Sequence, residues 1–142
     1  MPHHLPFSGA KIVLLCEGTL LIYQRDDKPA IPSPGLWDLP GGGRENDESP
    51  DECALRETWE EFSLMLDPAT IVWRRVYPPS AVNPLPTWFL VAEVPSGQFA
   101  EVVFGNEGQR WAVTTVEAFL DRKDAVVHLQ ERLREYLVAR ST

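Results

Sequence analysis

Glu57, Glu60 and Glu61 stand at positions i, i+3 and i+4 of one short stretch. On an α-helix that spacing puts all three carboxylates on one face, because side chains three and four apart stack above one another. Like charges so placed destabilise a helix by about 0.2–0.5 kcal/mol per pair, and no lysine neighbours them. The plain reading of such a face is a solvated acidic surface. Two features weigh against it: the missing lysines, and a glycine loop (Gly41-Gly42-Gly43) followed by a further acid, Glu48. Clustered carboxylates beside a flexible loop suit a hard cation such as Mg²⁺, which takes oxygen ligands and keeps positions for water and phosphate. A cation so held polarises a phosphoryl oxygen and lowers the pKa of a bound water.

The elements that must position these groups follow from local pattern. Ser49 is a candidate N-cap, Pro50 fits the first helical position and Glu52 completes a capping box, so a helix is predicted over 50–64. Its apolar stripe is expected at Leu55, Thr58, Trp59 and Phe62. Residues 10–17 and 19–25 read as strands joined in a tight hairpin at Glu17-Gly18. A proline-rich loop follows, then the short segment Leu36-Trp37-Asp38-Leu39, and residues 40–43 read as loop. Further strands are predicted at 70–77 and 87–94, a weaker one at 99–104, and another from Trp111. In the tail Val126, Leu129, Leu133, Tyr136 and Leu137 share a helical stripe, read as core packing. Strands interleaved with helices imply an α/β fold in which a mixed sheet carries helices on its faces.

At 142 residues, 44% hydrophobic and 24% charged, the chain is expected to form one domain, 1–142, with a core that needs no disulfide. Cys16 and Cys53 read as unpaired thiols of a reduced, cytoplasmic protein, with a pair left open. The N-terminus lacks a signal-peptide pattern, and no apolar run is long enough to span a bilayer. His3, His4 and His128 form no metal-ligand spacing with any cluster. A net charge of −8 argues against a nucleic-acid polymer as partner, whereas a polyphosphate remains accessible once bound cations invert the local field.

Gly42, five residues, Glu48, seven residues, then Arg56-Glu57-Thr58-Trp59-Glu60-Glu61-Phe62-Ser63-Leu64 resembles the Nudix box over 42–64, G-x5-E-x7-R-E-U-x-E-E-x-G-U. Chance agreement at its six charged and glycine positions is on the order of 10⁻⁷ per starting point. Two positions depart: Thr58 replaces an aliphatic residue, and Ser63 replaces the glycine that usually ends the helix. The segment from Gly35 to Gly42 looks like the lead into the box in MutT-like members. Arg25 aligns with an arginine that contacts substrate phosphate there, and Gly105-Asn106-Glu107-Gly108-Gln109 is similar to a late loop supplying another acidic ligand.

The resemblance implies a Nudix fold, a mixed sheet sandwiched between helices, and divalent-metal hydrolysis of a diphosphate linkage in a nucleoside diphosphate-X compound. Glu57, Glu60, Glu61, the Gly41 carbonyl and Glu107 are then the expected ligands of Mg²⁺, or of Mn²⁺ in its place. Glu57 is the candidate for activating water, with Arg56 orienting the carboxylates by pairing with Glu48, Gly42 supporting the box, and Arg25 holding phosphate. Trp37, Tyr77, Trp88, Phe89 and Trp111 are candidates for a base-stacking wall, although aromatics on strands more often fill a core. MutT-like features point to a (deoxy)nucleoside triphosphate, cleaved to monophosphate and pyrophosphate. The charged run Asp121-Arg122-Lys123-Asp124 stands where a base-reading asparagine would lie. The alternatives are sugar nucleotides, ADP-ribose or dinucleoside polyphosphates as substrates, and a non-catalytic nucleotide-binding domain. Monomer and homodimer are both open.

Overall fold

The computed structural model describes residues 5–141; His3 and His4 lie outside them. Seven strands form one sheet: β1 (Gly9–Cys16), β2 (Thr19–Gln24), β3 (Trp37–Asp38), β4 (Gly41–Gly43), β5 (Ile71–Tyr77), β6 (Thr87–Glu93) and β7 (Arg110–Thr115). Three helices accompany them: α1 (Pro50–Phe62), α2 (Val116–Asp121) and α3 (Val127–Arg140). The sheet is mixed, with β1 and β6 parallel and β5 antiparallel to β6 at one edge.

The feature that builds the site is a fork. The hairpin turns on Glu17 (φ 51°) and Gly18 (φ 79°), both in the left-handed region that a primed two-residue turn demands. Beyond it β1 and β2 pair only at Leu15–Leu20 and Cys16–Thr19, then splay. Residues 37–43 fill the gap, with β3 on β2 and β4 on β1, and Ile12 N–H donates to the Pro40 carbonyl at 2.9 Å. The glycine run therefore forms a strand, not the loop expected from its composition. Glycine is needed because the strands approach closely: a Cβ on Gly41 (φ +132°) would lie 2.1 Å from the Ala10 carbonyl oxygen. The proline-rich excursion before it is closed at its neck by Arg25 N–H to Leu36 O (2.8 Å) and Gly35 N–H to Asp26 O (3.0 Å).

Alternation along the strands loads both faces of the sheet. Ile12, Leu14, Leu21, Leu90 and Ala92 pack with Cys53, Ala54 and Phe62 of α1. Val13, Leu20, Ile22, Phe89 and Val91 pack with Val116 and Phe119 of α2 and with Leu129, Leu133 and Tyr136 of α3. Each large side chain fully withdrawn from water contributes about 1.5–3 kcal/mol, so the two layers hold the helices against opposite faces. Phe89 is core, and Trp37 is 5% exposed. The tail stripe packs as expected, with Leu137 at its margin.

α1 starts at the expected capping box: Ser49 Oγ accepts from Glu52 N–H (3.1 Å) and Glu52 Oε1 accepts from Ser49 N–H (2.8 Å). It ends at Phe62, two residues earlier than the pattern suggested, on Ser63 in the left-handed conformation (φ 56°, ψ 29°). Its buried face is also turned from the expected stripe. Trp59 is 50% exposed, whereas Cys53, Ala54, Thr58 and Phe62 are buried. No strand forms over 99–104. Gln98–Glu101 is a 3₁₀ turn, and the N–H groups of Val103 and Gly105 donate to Phe62 O (3.0 Å) and Glu61 O (2.8 Å). Those donors satisfy the end of α1 rather than a neighbouring strand.

Candidate active site

The three glutamates of α1 meet unequal surroundings. Glu61 is buried at 8% exposure, Glu57 is half-buried and Glu60 is exposed. Glu61 Oε1 accepts from the Gly41 N–H at 3.1 Å, so the fork reaches across to the helix. Burial pushes the Glu61 carboxyl up to about 8, against the pull of Lys11 and of the Gly41 N–H. Burial also raises Glu57, with Glu60 and Glu107 adding repulsion against the attraction of Arg56. The Glu57 carboxylate lies on the Cα side of Gly42, where a Cβ would stand 2.5 Å from Oε2. Any larger residue would evict the carboxylate.

Arg56 gathers the cluster. Its Nε and Nη2 pair with the two oxygens of Glu48 at 2.6 and 3.1 Å, Nη2 also donates to Gly43 O at 2.8 Å, and Nη1 reaches Glu60 at 3.0 Å and Glu57 at 3.4 Å. The hydrogen bond from Arg56 holds Glu48 below the usual carboxylate range. Arg56 thus ties the β4 backbone, Glu48 and the α1 carboxylates into one unit. Glu107 sits exposed in the loop after Phe104, which the bonds to the end of α1 bring toward Glu57.

A second polar group occupies the fork. Asp38, 2% exposed, accepts from Lys11 Nζ (3.0 Å), Arg25 Nη1 (2.9 Å), Tyr23 Oη (3.4 Å) and, through Oδ1, Leu39 N–H (2.6 Å). Burial opposes its charge, but Lys11 and Arg25 outweigh that and hold the carboxyl below its ordinary value. Lys11 Nζ also faces Leu39 O (3.2 Å) and Gly41 O (3.5 Å). Its three donors are therefore spent on the segment that presents Gly41 N–H to Glu61. Arg25 stands apart from the carboxylates, tied to Asp38 and to Pro32 O (2.9 Å).

Beside these groups opens a cavity of about 650 Å³, lined by Lys11, Arg25, Gly42, Trp88, His128 and Arg132 among others. That volume is in the range that holds a small organic ligand. Sequence pattern missed Lys11, Asp38 and Arg132 as site residues. The signal was present for two of them: a lysine inside an apolar strand and an aspartate inside Leu-Trp-Asp-Leu, each of which must be paired if buried. Of the aromatics proposed for stacking, only Trp88 lines the cavity.

The donor set can be compared with the divalent cation that the acidic cluster suggests. Among the described residues no three acidic, histidine or cysteine side chains converge enough to enclose an ion, and Arg56 lies against Glu57 and Glu60. The chemistry of the set fits nonetheless. It offers hard carboxylate oxygens, and two of the carboxyls have raised proton affinity from burial, an environment that a cation would relieve.

Residues 6–136 match the sequence model of the NUDIX domain. The chain belongs to the Nudix family. This Nudix chain is 32% identical over 101 residues to the RNA pyrophosphohydrolase of Gluconacetobacter diazotrophicus, covering 67% of its own length and 53% of the relative's. It is 38% identical over 60 residues to a MutT-like protein of Streptomyces ambofaciens, covering 42% and 35% of the two chains. The chain thus spans about half the length, or less, of these curated relatives. The MutT protein of Methanosarcina mazei Go1 superposes with a TM-score of 0.74 at 20% identity, over 96% of this chain and 97% of that one. A bifunctional NMN adenylyltransferase/ADP ribose pyrophosphatase of Francisella tularensis, crystallised with AMP and a Mn ion, gives 0.70 at 19% identity, over 100% and 44%. The likeness to these structures is one of fold, and the Nudix sandwich of sheet and helices is the fold found here. No helix among the described residues is long and apolar enough to cross a membrane.

Proposed function

We propose that this Nudix chain hydrolyses a diphosphate linkage in nucleoside diphosphate-X compounds with Mg²⁺ or Mn²⁺, and that a nucleoside triphosphate, yielding monophosphate and pyrophosphate, is its leading substrate. The observation that carries this is the seating of Glu57 and Glu61 on the backbone of Gly42 and Gly41, with Gly42 itself lining the cavity that Arg25 also lines. Glu57, Glu60, Glu61, the Gly41 carbonyl and Glu107 are the groups to hold the cation. When bound, it supplies Lewis-acid polarisation of phosphoryl oxygens and neutralises charge on the leaving group.

The protein's own groups do the rest. A water oxygen attacks phosphorus in line as the bridging P–O bond breaks and pyrophosphate departs. Glu57, whose proton affinity burial has raised, takes the water's proton; a base is most effective when its pKa approaches the working pH. Arg25, with Nη1 on Asp38 and Nε on Pro32 O, has N–H donors left to turn to a phosphate oxygen. Arg56 keeps the carboxylates aligned through Glu48, and Gly42 leaves room for Glu57. The substrate is a small nucleotide rather than a nucleic-acid polymer or membrane, consistent with a chain of charge −8 whose cavity is lined by Lys11, Arg25 and Arg132. The free thiols of Cys16 and Cys53 support a cytoplasmic setting.

The test is phosphate and pyrophosphate release with Mg²⁺ and Mn²⁺ across nucleoside triphosphates, sugar nucleotides, ADP-ribose, dinucleoside polyphosphates and 5′-triphosphorylated RNA. Glu57→Gln and Glu61→Gln run beside the wild type. Metal-dependent pyrophosphate release from a triphosphate, lost by about 100-fold or more in both variants, is the expected result. Nucleotide binding by folded wild type without turnover of any substrate would replace this reading with a binding domain.

A further inference from the structure

Arg132 is a half-buried arginine that the chemistry above does not use. It projects from α3 into the cavity, its guanidinium 4.0 Å from the Tyr77 ring centroid and its Nη1 donating to Thr87 Oγ1 at 3.2 Å. Stacking and hydrogen bond fix the group before any ligand arrives. Two acids of α3 lie near it, Glu131 and Glu135. Glu135 accepts from the Tyr77 hydroxyl and lies 3.7 Å from Arg75, and Glu131 attracts Arg132 without pairing with it among the described residues. Among the described residues Arg132 has no ion pair, whereas Lys11 and Arg25 share Asp38. Burial lowers the proton affinity of Arg132 and outweighs the attraction of Tyr77, Glu135 and Glu131, so its charge is only partly compensated.

Its place in the sheet separates it from the carboxylates. Gly43 pairs with Gly9, and Gly9 with Thr87, so Thr87 lies two strand spacings, about 10 Å, from the strand on which Glu57 rests. Arg132, bonded to Thr87, therefore addresses a different part of the substrate from the phosphorus under attack. A neutral nucleoside would leave the guanidinium only partly compensated. An anionic group would satisfy both its charge and its unused Nε and Nη2 donors.

We infer that Arg132 is a specificity-determining residue that binds a second anionic oxygen group, a phosphate or a carboxylate, carried by the substrate beyond the scissile diphosphate. The inference rests on the cavity being the nucleotide site of the proposed hydrolase.

The test measures binding without turnover, by calorimetric titration in EDTA. Two matched pairs serve as probes: AMP against adenosine 3′,5′-bisphosphate for phosphate, and UDP-glucose against UDP-glucuronate for carboxylate. Wild type is expected to prefer the additional anion in at least one pair by about tenfold or more, and the pair affected identifies the group. Arg132→Met should abolish that preference while changing AMP affinity less than about twofold. Arg132→Lys, which keeps charge but not the fork, should retain part of the preference and covers the case in which the methionine variant does not fold. Equal affinities within both pairs, or a preference that survives in Arg132→Met, would overturn the inference. So would an Arg132-dependent preference for GMP over AMP without any anion effect, which would make Arg132 a reader of the base. An Arg132-dependent anion preference in a protein that hydrolyses nothing would sink the hydrolase reading and leave the anion site standing.

Discussion

Glu61→Gln is the perturbation whose consequence follows most directly from the structure. The carboxyl rises from an ordinary 4.5 to about 8 through burial. Between those values the unfolded chain has lost this proton and the native protein keeps it. The native state then binds more protons, and stability falls as pH rises. At about 1.36 kcal/mol per pKa unit, the group removes roughly 3 to 4 kcal/mol between pH 5 and pH 8. Glutamine cannot ionise, yet its Oε1 still accepts from the Gly41 N–H. The variant should therefore match wild type near pH 4 and exceed it by that amount at pH 8. Urea unfolding followed by tryptophan fluorescence, in EDTA at several pH values, measures both curves. Mg²⁺ or Mn²⁺ at pH 8 should restore stability to wild type more than to the variant. Parallel pH curves, or a variant less stable than wild type at pH 8, would show that the ionised carboxylate is well supported in the fold and would refute the reasoning.

Lys11→Met leaves Asp38 buried with one cation fewer, and should cost about 3 kcal/mol in chemical denaturation, as breaking a buried ion pair does. Gly42→Ala pushes a methyl into the Glu57 carboxylate, a gap of 2.5 Å. Pyrophosphate release should fall by about 100-fold while the melting temperature changes little, since the displaced group is a half-buried side chain end. Ser63→Gly relieves a left-handed residue at the α1 terminus (φ 56°) and should raise stability by about 1 kcal/mol, seen as a higher denaturation midpoint.

Local signals carried the reading of this fold as far as local physics reaches. The capping box of α1, the Glu17-Gly18 hairpin and the stripe of α3 are each decided within a few residues, and each stands where pattern placed it. Contacts made at long range were not legible. Gly41–Gly43 looked like loop because glycine disfavours strands, yet its partner β1 lies thirty residues earlier and demands the absence of a Cβ. The same fork explains Glu61: grouped by spacing with Glu57 and Glu60, it turns inward because Gly41 offers it an N–H. The buried face of α1 is rotated accordingly, which leaves Trp59 to solvent. Residues 99–104 have strand-like composition, but the Val102 N–H closes a 3₁₀ turn on Phe99 O and the Val103 N–H goes to Phe62 O at the end of α1. Helix α2, six residues capped by Thr115, is too short to show periodicity. Arg132 could not be marked at all, since its significance depends on Glu135 pairing elsewhere.

The neck that closes the proline-rich excursion has a bearing on how this chain tolerates change in length. Because two backbone hydrogen bonds join its ends at Arg25–Leu36 and Asp26–Gly35, the residues between form a bight tied off before the strands resume. Lengthening such a loop costs only about 0.6 kcal/mol for each doubling. Residues grafted near Ala30, at an exposed tip, would hang from the rim of the cavity without shifting β2 or β3. That makes this excursion the natural place to attach a reporter, or to build new contacts to a larger substrate, while the fork beneath keeps its register.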